Sequence, residues 1–182
     1  MFIGVSEGGP LVTSLTETYA EITLATMNWC GAGDYSWRDE LWDFVENIKK
    51  TLPLFARILI KLSRWVSVNT NIPKDRSEYD RQVDAILNDP STEKYFLGMT
   101  YKYHADALAA YPKPEYGKMK TPYLVVAGVK DSIIDSSDAF VRNAKEAGTP
   151  ITYMRISDMD HYVRKKDDVI KDSFAWLKQQ IR

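Results

Sequence analysis

Gly4-Val-Ser-Glu-Gly8 is a G-x-S-x-G pattern, with Ser6 at its centre. A serine at this place in such a turn is a candidate nucleophile, exposed by a sharp strand-to-helix reversal. Bulky neighbours would clash in that reversal, which is the steric reason for its glycines. The helix that follows offers free N–H groups and a positive dipole end to a developing oxyanion. The Glu7 backbone N–H is the donor in place for that role. The pattern alone is weak, since ordinary Gly and Ser usage supplies it by chance in about one chain of this length in twenty.

A serine hydroxyl needs a base. The chain has two histidines, His104 and His161. His104 lies within a helical stripe beside Tyr101 and Tyr103, where a structural role fits better. His161 lies in a polar turn, Ser157-Asp-Met-Asp-His-Tyr-Val163, after an apolar run read as a strand. Active residues of open α/β sheets gather at the carboxyl ends of strands, so His161 is the better base. The base needs an orienting carboxylate. Asp131 ends Gly128-Val-Lys-Asp131, again after a strand, and Asp34 is the alternative acid, following a strand and a Gly-rich turn. Asp135, Asp158 and Asp160 read as solvated loop charges. The order Ser6, Asp131, His161 is the nucleophile–acid–base order of one known arrangement of the triad.

These residues need elements to hold them. Met1–Val5 reads as the end of a buried strand. Leu11, Leu15 and Tyr19 recur every fourth residue, a helical spacing. Ile22–Trp29 is rich in strand formers and stops at Gly31-Ala-Gly33. Residues 34–117 read as helical, in four stripes: 41–52, 55–66 after Pro53, 79–87, and Tyr95, Phe96, Met99 and Tyr103. Tyr111–Gly117 reads as a linker. Strands at 122–127 and 150–156 then alternate with helices at 136–147 and 167–181. Alternation of this kind predicts an α/β fold with a mostly parallel sheet. The division expected is residues 1–33 with 118–182 as the α/β core, and 34–117 as an inserted all-helical cap.

Composition narrows the function. The 182 residues carry a formal net charge of −1, with 45% hydrophobic and 12% aromatic residues. That gives no basic footprint for nucleic acid and no polybasic tract for an anionic membrane. The one cysteine, Cys30, excludes an intramolecular disulfide and reads as a small buried residue. No apolar stretch is long and charge-free enough for a membrane span. No metal cluster, phosphate-binding glycine loop or dinucleotide fingerprint is present, so no cofactor is expected. No signal peptide is visible at Met1, which favours the cytoplasm, although a start upstream of Met1 would conceal one.

Three segments together, Phe2–Pro10, Thr121–Asp131 and Met159–Val163, resemble the motifs of the α/β-hydrolase superfamily. The resemblance is nearest in style to small esterases, lysophospholipases and serine aminopeptidase-like enzymes with helical caps. It implies a serine hydrolase that cleaves a carboxylic ester or amide through Ser6, His161 and Asp131, with an acyl-enzyme. It also implies an apolar pocket in the cap, for which Trp37, Trp42 and Trp65 are candidates. The sequence departs from the family where Met159 and Asp160 occupy places usually held by small residues. The resemblance further implies several strands before the elbow and a second oxyanion donor from an early loop. A chain without them would be an incomplete or inactive fragment, or an interaction module, with an exposed sheet edge beside residues 1–5 open to self-association. A peptidase, an acyltransferase or a cofactor-free peroxidase on the same fold are further alternatives, with Glu40, Asp43 and Glu46 available to hold a substrate amine.

Overall fold

Tyr123–Gly128 is buried at every position, as a strand covered on both faces must be. Its side chains alternate between two apolar clusters, following the period of two of a strand. Tyr123 and Val125 join Ala32, Met119, Phe140, Val141 and Ala144. Leu124 and Val126 join Met27, Trp29, Met159, Val163, Val169 and Leu177 on the opposite face.

The computed structural model describes residues 1–62, 72–110 and 113–181, without the side chains of 59–62. The chain divides into two compact units, residues 1–35 with 113–182, and residues 36–112. The dividing points fall at 35/36 and 112/113 because the residues around them tie into the first unit. Tyr116 donates to Asp34 at 2.5 Å, Lys113 Nζ lies 3.3 Å from the same carboxylate, and the Tyr116 ring meets Phe140 edge-on.

The first unit is an α/β unit. Its strands are β1 (Phe2–Val5), β2 (Thr26–Trp29), β5 (Tyr123–Gly128) and β6 (Ile151–Ile156), all parallel in the order β1-β2-β5-β6. Helix α1 (Gly8–Thr18) follows β1, α6 (Ile134–Glu146) joins β5 to β6, and α7 (Asp167–Gln180) ends the unit. The apolar faces of α6 and α7 each supply one of the two clusters, so they cover opposite faces of the sheet. The register sets Val5 opposite Trp29, Trp29 opposite Val126 and Gly128 opposite Ile156. Parallel pairing therefore brings the ends of β1, β5 and β6 to one side. The strand expected over 22–29 is shorter than its composition suggests. Ala20–Ile22 forms a 3₁₀ turn, and pairing with β5 begins at Thr26. Among the described residues β1 is an edge strand, with Ile3 41% and Val5 48% exposed.

The second unit holds α2 (Trp37–Thr51), α3 (Leu54–Leu62), α4 (Arg76–Asn88) and α5 (Tyr101–Ala110). Leu41, Val45, Tyr79, Val83, Ile86 and Phe96 form its core. Ser36 caps α2 by accepting from the Asp39 N–H, and Asp75 caps α4 by accepting from Glu78. The fourth helical stripe is not continuous. Tyr95–Phe96 (β3) and Met99–Thr100 (β4) form an antiparallel hairpin, and the helix starts only at Tyr101. Leu97 and Gly98 adopt positive φ angles of 49° and 83° between the strands, which a helix cannot contain. Among the described residues no helix is long and apolar enough to cross a membrane.

Candidate functional site

Ser6 occupies the turn between β1 and α1 with φ 52°, left-handed backbone that L residues adopt only at a cost. Main-chain bonds hold it there. Its N–H donates to the Trp29 carbonyl at 2.9 Å, and its own carbonyl accepts from Gly9 at 2.8 Å. The glycines beside it divide their work unexpectedly. A Cβ on Gly4 would lie 2.4 Å from the Gly8 carbonyl oxygen and 2.7 Å from Val12 Cγ2. Gly8, the last glycine of the motif, faces open space, whereas a Cβ on its neighbour Gly9 would lie 2.3 Å from the Gly31 carbonyl oxygen. The steric demand expected of Gly8 thus falls on Gly9.

His161 follows β6, and its Nε2 lies 2.7 Å from Ser6 Oγ. Its Nδ1 lies 2.8 Å from Asp131 Oδ2. A carboxylate only accepts, so Nδ1 carries the ring proton and Nε2 is left to accept from the serine hydroxyl. The Asp131 carboxylate is buried and also accepts from the Ile133 N–H at 3.2 Å. The turn carrying Asp131 is bound to the turn carrying His161, because Lys130 donates to the Met159 carbonyl and Val129 to that of Ile156. The bond to Asp131 raises the His161 pKa above its ordinary 6.5, against the opposing effect of burial, and the charges of Asp131 and Asp160 add to the rise.

The other residues singled out in the sequence fall elsewhere. Asp34 is buried, but its carboxylate serves Tyr116 and Lys113, while His161 Nδ1 bonds to Asp131. Burial opposes ionisation of Asp34, yet the bonds from Tyr116, Asn143 and Lys113 leave its pKa below the usual carboxylate value. Asp160 is bound to Lys165 Nζ at 2.8 Å and accepts from the Tyr162 N–H, at the surface. Asp158 pairs with Lys166. Met159, which departs from the family pattern, is a core residue packed with Trp29 and Val163. Cys30 is buried, and burial with the nearby Asp131 charge pushes its thiol up to about 11. Glu7 occupies the N-cap position of α1 without a side-chain capping bond, and its N–H lies at the end where helix amides lack intrahelical acceptors. In the second unit, His104 is buried with Nε2 2.8 Å from the Phe96 carbonyl. Trp37 meets Tyr103 edge-on, and Trp42 lies against Tyr79 with Lys49 Nζ 4.6 Å above its ring. Trp65 lies outside the described residues.

One buried polar group was missed in the sequence. Thr13 Oγ1 donates to the Gly9 carbonyl at 2.9 Å and lies 2.7 Å from the Tyr123 hydroxyl, which in turn accepts from Asn28 Nδ2 at 2.9 Å. This chain ties the start of α1 to β2 and β5, directly behind the Ser6 turn. Its signal was Asn28, an amide in a run of strand formers bounded by Trp29.

No family model matches the sequence, and no curated protein matches it. Solved structures do. An esterase from Thermogutta terrifontis is 16% identical with a TM-score of 0.53, over 100% of this chain and 66% of that one. The mouse α/β hydrolase domain-containing protein 10 is 16% identical with a TM-score of 0.54, over 99% and 62%. A monoacylglycerol lipase from Paleococcus ferrophilus is 16% identical with a TM-score of 0.52, over 98% and 67%. The chain has the α/β-hydrolase fold, and it spans about two thirds of the length of these structures.

Proposed function

We propose that this chain carries the catalytic residues of a serine hydrolase acting on a carboxylic ester or amide. The observation that supports this best is the hydrogen-bonded relay from Ser6 Oγ through His161 to Asp131, at 2.7 and 2.8 Å. In this reading Ser6 Oγ attacks the carbonyl carbon while His161 Nε2 takes the hydroxyl proton. The tetrahedral oxyanion is held in part by the Glu7 N–H. Collapse forms the acyl-enzyme and expels the leaving group, which takes the proton from His161. Water, deprotonated by the same nitrogen, then releases the acid. Asp131 keeps the imidazole in the required tautomer and stabilises the imidazolium. The esterase and lipase among the structural neighbours agree with this class of reaction. Residues of the second unit, Trp37 and Trp42 among them, remain candidates for binding the substrate.

A second reading is that hydrolysis needs more of the fold than these residues provide. The exposed Ile3 and Val5 on the edge strand favour it, as does the greater length of the structural neighbours. A fluorophosphonate probe tests both. Covalent labelling of Ser6, lost in Ser6→Ala, is the expected result. A folded chain that takes no label would refute an activated serine in this chain and leave the second reading.

A further inference from the structure

The linear sequence holds no basic tract, yet the second unit assembles one. Lys49, Lys50, Arg57 and Lys74 line a recess of about 330 Å³ together with Glu46, Leu54 and Ile58. The chain as a whole carries a net charge of −1, so four cations against one carboxylate stand out from the average surface. Glu46 is already bound to Lys49 Nζ at 2.7 Å, and Lys49 also donates to the Lys74 carbonyl. Lys74 Nζ stands 4.0 Å from Asp75. Arg57 donates to the carbonyls of Leu52 and Lys50, and Lys50 donates to the Asn47 amide oxygen. Among the described residues, neither Lys50 nor Arg57 meets a carboxylate.

Beside this recess, the first turns of α3 turn large apolar side chains outward. Leu54 is 72% exposed, Phe55 67% and Ile58 46%. Leu54 and Ile58 are one helical turn apart and also line the recess. Cations at the rim of an exposed apolar helix face complement an anionic surface over hydrocarbon. An acidic protein would satisfy the cations, but leave Leu54 and Phe55 needing a matching apolar groove. A bilayer satisfies both at once.

We infer that this face, the start of α3 with the recess of Lys50, Arg57 and Lys74, docks peripherally on anionic phospholipid membranes. Leu54 and Phe55 enter the acyl boundary while the cations meet the headgroups. The inference does not depend on hydrolysis by Ser6.

Co-sedimentation of the full chain with vesicles tests it. Vesicles of phosphatidylcholine containing about one third phosphatidylserine should bind the chain about tenfold more strongly than phosphatidylcholine alone, and molar salt should remove the difference. Lys50→Glu and Phe55→Ser, both at exposed positions, should each weaken binding by about tenfold, and Lys50→Arg should retain it. Thermal melts of the variants separate lost docking from lost folding. Equal binding to both vesicle types, binding to neither, or variants that melt and bind like the parent would overturn the inference. So would a concentration-dependent dimer abolished by Phe55→Ser, which would assign the face to a second copy.

Discussion

The two units of this chain are built to different rules. In the first, every residue of the Ser6–His161–Asp131 relay sits just beyond a strand of one parallel sheet, and main-chain bonds join the Asp131 turn to the His161 turn and Ser6 to Trp29 at the end of β2. Two apolar clusters hold that sheet from both faces. In the second, one apolar cluster is surrounded by charged side chains. Arg38 pairs with Asp80, Arg76 with Asp39 and Asp80, and four cations line an open recess. The first unit fixes atoms to within a hydrogen bond. The second presents surfaces whose interactions are screened, graded and replaceable. Substitutions should therefore have abrupt effects in the first unit and gradual ones in the second.

The largest effect expected, apart from loss of the serine itself, is at Asp131. Asp131→Asn keeps the shape but can donate to Nδ1, which moves the ring proton to Nε2, so the nitrogen facing Ser6 can no longer accept the hydroxyl proton. Fluorophosphonate labelling should slow by a factor on the order of 10⁴. The pH dependence should sharpen the assignment. Asp131 favours the imidazolium, so His161 titrates above 6.5, and labelling should fall as pH drops through that raised value. Stability has the opposite sign. The contribution of the His161–Asp131 pair is full below the unfolded pKa of histidine and is lost as pH rises through the raised folded value. In the variant the acid limb of labelling should move to lower pH. A limb that stays in place would show that another group controls it.

A smaller effect tests whether packing at the turn is as unforgiving as the relay. Gly9→Ala puts a methyl 2.3 Å from a carbonyl oxygen that cannot step aside, and should cost about 1–3 kcal/mol in stability, read as a fall in the denaturation midpoint. Gly8→Ala, one residue earlier in the same helix, meets nothing within 4 Å. There the better helix propensity of alanine should leave stability equal or raise it by up to about 1 kcal/mol. Equal losses at the two positions would contradict the division of roles between them.

The sequence reveals the relay more readily than it reveals these packing details. With only two histidines in the chain, the base was nearly a choice of one, and long apolar runs marked the strands that end before Asp131 and His161. What it concealed depends on distance through space. Gly9 is required because Gly31, on the loop after β2, passes close by. The 95–100 hairpin has apolar residues at spacings a helix also produces, and its antiparallel pairing and the positive φ angles at Leu97 and Gly98 distinguish it. The basic recess draws on residues from 46 to 74, so no local window of charge discloses it.

The smallest effect expected lies in the ion network of the second unit. Arg76 donates to Asp39 at 2.8 Å and to Asp80 at 3.3 Å, and its guanidinium lies 5.3 Å from the Tyr79 ring centroid and 5.7 Å from that of Trp42. Burial opposes its charge, yet the bond to Asp39 with the charges of Asp80 and Asp39 leaves its pKa raised. Both carboxylates are partly solvated, so Arg76→Ala should lower stability by only about 1 kcal/mol. Raising the salt to about 1 M should narrow the gap between parent and variant, since screening weakens the ionic part and leaves the ring contacts. Labelling at Ser6 should stay within about twofold of the parent, because the pairs removed are screened surface pairs of the second unit and touch no residue of the relay. A loss well above 3 kcal/mol, or a gap that salt does not narrow, would mean that Arg76 is a buried anchor. The second unit would then be as rigidly specified as the first.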